Sequence, residues 1–238
     1  MLKTEVRRIE DELALKKAAD LILNEELIVV YFNGTYAFLC DCDAEAPADK
    51  LFQIKHRPRE KSLSLVVDPA FLPDFIDLNH SSFNKHSLAA LVQLQRRSHA
   101  LGIVLPAGEH APIALVQNGT ILNVWTEYPP HRPLIKLTQA ARLLGVRGFK
   151  GASTNLSHEP TYTTKEQVLN QFDGKVPLVL DGEGAVPRKR QKSTTLIDFT
   201  RSSPTVIRMG NVAVDEIQLI CDALGLGKLE VDHNVKVL

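Results

Sequence analysis

Two short segments carry side chains suited to binding anions: Lys55-His56-Arg57-Pro58 and Gly151-Ala152-Ser153-Thr154-Asn155-Leu156-Ser157. Proline disfavours the helical region for the residue before it, so Arg57 is expected to be extended. In an extended segment residues two apart point to the same side, and Lys55 and Arg57 are expected to project together. Two such cations suit a triphosphate, the lysine as a point charge and the arginine as a planar fork. A solvated basic turn would use the same residues. The hydroxyl and amide groups of the second segment can hydrogen-bond a phosphate, a ribose or an acyl group. They can equally satisfy the backbone of a turn.

Other chemistries lack their residues. The chain has no G-x-x-x-x-G-K-[ST] loop, no G-x-G-x-x-G opening a helix and no G-x-S-x-G elbow. Cys40 and Cys42 stand alone, without the two further ligands of a zinc site. Trp125 and Cys221 read as core residues. His80, His86, His99, His110, His131, His158 and His233 are scattered among polar neighbours and read as surface.

Elements must hold these segments in place. Val6 to Asn24 has helical apolar spacing, and Leu27 to Phe32 reads as a strand buried on both faces. Ala46 to Ile54 reads as a short helix, Ser62 to Val67 as a strand, and Asp68 to Lys85 as loop and turns. Ser87 to Ala100 is expected to be helical, followed by strands at Ile103–Leu105, Ile113–Gln117 and Ile121–Trp125. Asn118-Gly119 marks a hairpin, because both residues tolerate positive φ. A helix over Leu134–Leu144 stops at Gly145. Strands follow at Leu178–Leu180, Thr194–Phe199 and Thr205–Met209, then a helix over Val214–Leu224 before Gly225. Glu230 to Leu238 fits either a further strand or a tail. Strands and helices intermix with at least one hairpin, so the expectation is an α/β fold with a mixed sheet.

With 238 residues the chain can bury a sizeable core as a single domain, 1–238. Its 28 basic and 28 acidic residues balance, giving no overall charge that would draw nucleic acid or membrane. No apolar run reaches membrane-spanning length, and the charged start, Met1-Leu2-Lys3-Thr4-Glu5, does not suit a signal peptide. Three cysteines make no disulfide framework. A cytoplasmic location is expected, with no membrane partner, and the sequons at Asn33, Asn118 and Asn155 then carry no meaning.

Taken in order, four segments resemble the YrdC-like family. Ile54-Lys55-His56-Arg57-Pro58-Arg59-Glu60-Lys61-Ser62-Leu63 is similar to its I-K-x-R-P-x-x-K-P-L segment, and Ser153-Thr154-Asn155-Leu156-Ser157 to its S-A-N-x-S. Lys192-Ser193-Thr194-Thr195-Leu196-Ile197-Asp198 is similar to the S-T-[VI]-V-D strand, and Ile207-Arg208-Met209-Gly210 to L-R-x-G. The resemblance runs from about Leu27 to Val212, with the terminal helices as extensions. It implies one α/β domain, a twisted and mostly mixed sheet flanked by helices around a basic cavity. It also implies condensation of ATP, bicarbonate and L-threonine into threonylcarbamoyl-AMP with release of pyrophosphate, Mg²⁺ accompanying the ATP. A partner complex would then transfer the group to tRNA. By this match Lys55, Arg57, Ser153 and Asn155 are catalytic and nucleotide-binding, Ser193 and Arg208 contact the adenylate phosphates, and Thr35 belongs to the substrate site.

The sequence departs from the family pattern mostly at the threonine end. Phe32-Asn33-Gly34-Thr35-Tyr36-Ala37-Phe38-Leu39 stands where P-T-D-T-x-Y-G-L is usual, keeping only Thr35 and Leu39. Lys61-Ser62-Leu63-Ser64-Leu65-Val66 lacks the histidine of K-P-L-x-x-H. Glu127-Tyr128-Pro129 falls where R-x-P would clamp a carboxylate, with Arg132 a candidate substitute. These departures leave two other readings: an adenylating or carbamoylating enzyme with another acceptor, and a non-catalytic binder of nucleotide, double-stranded RNA or tRNA. The latter would use the basic patches Lys55–Lys61 and Arg188–Lys192.

Overall fold

The computed structural model describes residues 3–81, 88–127, 132–156, 159–184 and 193–237. Its strands are β1 (Glu5–Arg8), β2 (Ile28–Phe32), β3 (Thr35–Asp41), β4 (Ser64–Val66), β5 (Leu101–Pro106), β6 (Val116–Gln117), β7 (Thr120–Trp125), β8 (Phe149–Ser153), β9 (Leu178–Asp181), β10 (Thr195–Asp198), β11 (Thr205–Met209) and β12 (Glu230–Val237). The helices are α1 (Glu12–Leu23), α2 (Glu45–Ile54), α3 (Leu88–Arg97), α4 (Arg132–Leu143), α5 (Lys165–Phe172) and α6 (Val214–Leu224). All the strands join one sheet in the order β1-β9-β2-β3-β8-β4-β7-β5-β10-β11-β12, with β6 beside β7. Parallel pairs such as β2 with β9 alternate with antiparallel ones such as β2 with β3, so the expected mixed sheet is borne out.

The continuous apolar run of β2 buries all five residues because helices cover both sheet faces. Val29 and Tyr31 enter a core built with α2, α3, α5 and α6. Ile28, Val30 and Phe32 enter a second core on the opposite face, built with α1 and α4. Alternation of side chains along a strand produces this division. Among the described residues no helix is long and apolar enough to cross a membrane.

The expected helix over Val6–Asn24 divides in two. Glu5–Arg8 pairs in parallel with β9, and the helix begins only after Asp11, whose carboxylate accepts from Leu13 N at 2.9 Å. The partner of β1 lies some 170 residues away in sequence, and no local pattern announces it. Within Ile113–Gln117, Ile113–Leu115 is a 3-10 turn and only Val116–Gln117 pairs as strand. Strands β3, β8 and β12 and helix α5 extend the reading. The Thr164 and Gln167 capping box that starts α5 is a signal the sequence carried. His99 is buried rather than exposed, whereas Trp125 and the free thiol of Cys221 lie in the interior as expected; the free thiols of Cys40 and Cys42 are buried too.

One polar side chain holds the centre of the sheet. Strand β4 meets β7 only at Leu65 and Asn123. Beyond that pair, the buried Asn123 amide accepts from Val67 N at 3.2 Å and donates to Val67 O at 3.3 Å, mimicking a strand partner. It also donates to Gln95 Oε1 at 3.0 Å, and the Gln95 amide donates to Leu101 O at 3.1 Å. Asn123→Leu would strand the Val67 backbone groups and the Gln95 carbonyl in the interior. Urea unfolding should show a loss of about 2–4 kcal/mol, from unmet buried groups at about 1–3 kcal/mol each; an unchanged midpoint would contradict the network.

Candidate functional site

Helices α1 and α4 leave part of their sheet face open, and a cavity of about 510 Å³ lies there. Its floor is apolar: Ala37 and Leu39 of β3, Val66 of β4, Leu122 and Val124 of β7, and Leu196 of β10. These residues alternate with core residues of the other face, as a strand requires. Thr35, Arg57, Ser153, Ser193 and Arg208 line the same cavity, so five of the seven predicted site residues converge from distant parts of the chain. Lys55 and Asn155 stand just behind this lining, bonded to Ser153. The sequence reading missed the floor and several polar lining residues, among them Ser64, Gln117, Thr120, Thr161 and Asp198. Alternation of Thr35, Ala37 and Leu39 was the available signal for part of the floor.

Lys55 and Arg57 do not lie in one extended segment. Lys55 closes α2 in the helical region, and His56 takes the left-handed conformation at φ 49. His56 N donates to Gln53 O at 3.1 Å and Arg57 N to Phe52 O at 2.9 Å, the pairing that terminates a helix in a Schellman turn. Glycine usually fills the left-handed position, and its absence here concealed the turn. The two cations consequently diverge. Lys55, only 2% exposed, donates its ammonium to the carbonyl oxygens of Ser153 and Asn155. Arg57 reaches the cavity, anchored by Nη2 on Ser62 O at 2.6 Å and Nε on Lys61 O at 3.1 Å. Burial, with the charge of Arg57 added, draws the Lys55 pKa down to about 7. The Ser153 hydroxyl donates to Asn155 Oδ1, and the Asn155 amide donates to Glu159 O at 2.7 Å.

Arg208 and Ser193 are joined to each other's segments. Arg208 Nε donates to Thr194 O at 2.9 Å, and burial lowers the guanidinium pKa to about 10. Asn211 N donates to Ser193 O at 2.9 Å, while Thr195 Oγ1 accepts from Gly210 N at 3.1 Å and donates to Val212 O at 2.9 Å. A Cβ on Gly210 would collide with the Ser193 carbonyl oxygen and lie 2.7 Å from the Thr194 carbonyl carbon. The glycine of L-R-x-G therefore permits the close approach of two backbones.

Two acidic residues have assigned partners. Asp198 accepts from Thr200 N at 2.9 Å, Thr200 Oγ1 at 2.6 Å and Arg201 Nε at 2.9 Å. Glu127 pairs with Arg96 Nε at 2.9 Å and does not line the cavity. Arg132 is not among the lining residues either, and Tyr128, Pro129 and Arg188–Lys192 lie outside the described residues.

The sequence profile of the Sua5/YciO/YrdC family, described as "Telomere recombination", matches residues 20–210, and the chain belongs to that family. Threonylcarbamoyl-AMP synthase of Pyrococcus abyssi is 24% identical over 215 residues, covering 90% of this chain and 59% of that protein. The Bacillus subtilis protein of the same name is 23% identical over 233 residues, covering 96% of this chain and 64% of its own length. The chain thus spans about three-fifths of the length of these curated relatives. P. abyssi Sua5 complexed with L-threonine superposes with a TM-score of 0.77 at 20% identity, over 98% of this chain and 62% of that one. E. coli YciO gives 0.72 at 18% identity, over 90% and 99%.

Two outcomes test this geometry. An unfolded lysine titrates near 10.4, and Lys55 titrates at about 7 in the fold. Between these values the unfolded chain binds more protons, so Lys55 makes stability rise with pH by about 1 kcal/mol per unit, flattening below about pH 7. Wild type minus Lys55→Met, followed by urea unfolding across that window, should show the slope; a flat difference would contradict it. Gly210→Ala should cost about 1–3 kcal/mol through forced backbone displacement, whereas the open position Gly119→Ser serves as a comparison in which only the φ of 74 is strained.

Proposed function

We propose that this chain condenses ATP, bicarbonate and L-threonine into threonylcarbamoyl-AMP and pyrophosphate, for transfer by a partner complex to tRNA. The observation that carries the reading is the convergence of Arg57, Ser153, Ser193 and Arg208 around one apolar-floored cavity, with Lys55 behind Ser153. The names of the curated relatives and the threonine complex of P. abyssi Sua5 support it.

The chemistry asks for positioning more than for a proton carrier. Carboxylation of the threonine amine by bicarbonate, with loss of water, gives a carbamate. A carbamate oxygen then bonds the α-phosphorus as the bond to the pyrophosphate oxygen breaks. Negative charge grows on phosphate oxygens, and Arg57 and Arg208 face it from two sides of the cavity. Ser153 and Asn155 orient the nucleotide and carbamoyl end, Ser193 contacts the adenylate phosphate, and Thr35 faces the amino acid. Glu127 is held by Arg96 away from the cavity, so its charge does not oppose the threonine carboxylate. Mg²⁺ would arrive on the triphosphate. Asp198, the carboxylate among the described lining residues, already accepts three donors and offers a poor protein ligand.

A different acceptor is favoured by one observation: Val66, where the family pattern has histidine, is part of the apolar floor. The RNA-binding reading loses part of its patch, because Lys55 is buried and Arg59 pairs with Asp49 at 2.8 Å.

With ATP, Mg²⁺ and bicarbonate, pyrophosphate release should require L-threonine, and threonine-independent turnover would favour another acceptor. Arg57→Ala and Arg208→Ala should each weaken ATP binding by about tenfold or more, as loss of a charged hydrogen bond predicts. Bound polyphosphate favours protonated Lys55, so binding should take up a proton. ATP affinity should then fall as pH rises above about 7, by up to about tenfold per unit. Calorimetry in buffers of different ionisation heat measures that uptake, and Lys55→Gln should abolish it.

A further inference from the structure

A second cavity, of about 370 Å³, lies on the opposite face of the sheet between α2 and the segment 110–114. Strand β8 separates the two: Gly151 and Ser153 face the first, so the intervening alternation turns Lys150 the other way. Lys150 is 1% exposed and lines the second cavity. Among the described residues its ammonium has no hydrogen bond or ion pair; the charges of Asp41 and Asp43 reach it only at longer range. Asp43 is taken by Arg147, at 2.9 Å and 2.7 Å, and Asp49 by Arg59 at 2.8 Å. An ammonium that meets the cavity without a direct carboxylate partner favours an anion there.

The start of α2 opens onto the same cavity. Ala44 supplies no side-chain cap to the first N–H groups of this ten-residue helix. Asp43 and Glu45 beside them oppose a dianion, so a single negative charge fits better than phosphate. Phe52, Pro112 and Ile113, the last 80% exposed, give the cavity an apolar wall. We propose that this cavity binds a small aliphatic monocarboxylate, its carboxylate on Lys150 at the start of α2 and its apolar part against Phe52 and Ile113. The site is independent of the nucleotide chemistry assigned to the other face.

The test uses the full chain and 2-methylpropanoate as the probe, with NMR as the readout. The carboxylate should move the Lys150 ε-CH₂ resonance and give intermolecular contacts from its methyl groups to the Phe52 ring and Ile113. Lys150→Met should weaken binding by about tenfold to a hundredfold, the range of a charged hydrogen bond. Ile113→Asp, a surface change that adds a repelling charge at the wall, should weaken it as well, and the wild-type contacts stand even if Lys150→Met fails to fold. No shift and no contact at roughly 50 mM, well above a millimolar Kd, would overturn the proposal. So would undiminished binding by folded Lys150→Met, or inorganic phosphate binding more tightly at the same resonance.

Discussion

The ammonium of Lys55 ties the end of α2 to the end of β8, and the Arg57 and Ser153 side of the first cavity depends on that tie. It is buried with two backbone carbonyls for company and no carboxylate. Carbonyl dipoles compensate a buried charge only partly, which is why the group gives up its proton so much more readily than a free lysine. The same contact fixes the Ser153–Asn155 turn and, through the Schellman turn at His56, sends Arg57 into the cavity. A carboxylate partner would have satisfied the lysine and cancelled its attraction for phosphate. Two carbonyls hold it in place and leave the charge uncancelled.

From the far side of the cavity a second arm is set by backbone packing. Gly210 lets β11 approach the Ser193–Thr195 segment, and the hydrogen bonds of Thr195 and Asn211 lock the two together with Arg208 beside them. The two arginines thus stand on rigid supports over a floor of aliphatic side chains. In such low-dielectric surroundings charge–charge interactions are stronger than in water. Under the proposed function, preorganised cations over an apolar floor would supply the electrostatic stabilisation that phosphoryl chemistry needs, without a histidine base.

Much of this arrangement was legible in the sequence because it rests on short-range rules. The apolar run of β2, the Asn118-Gly119 turn and the glycine stop of α6 appear where local chemistry put them. The four motif segments named the residues that meet in the cavity, while composition and spacing alone left their roles open. What escaped was non-local. Strand β1 exists only through β9, and β4 is held to β7 largely by the side chain of Asn123. The divergence of Lys55 from Arg57 turned on a left-handed histidine, a conformation that proline three positions from the helix end does not reveal. Glu127 looked disruptive in linear order, yet Arg96 from α3 pairs with it and it does not line the cavity.

In the proposed function this one face of the sheet holds the nucleotide, with its phosphates between Arg57 and Arg208. A crystal structure of the protein soaked with ATP and L-threonine tests it most directly. Density for the α-phosphate should lie within hydrogen-bonding distance of Arg208 or Ser193, with Arg57 on the polyphosphate and the threonine toward Thr35. Nucleotide bound elsewhere, or phosphates turned away from both arginines, would contradict it.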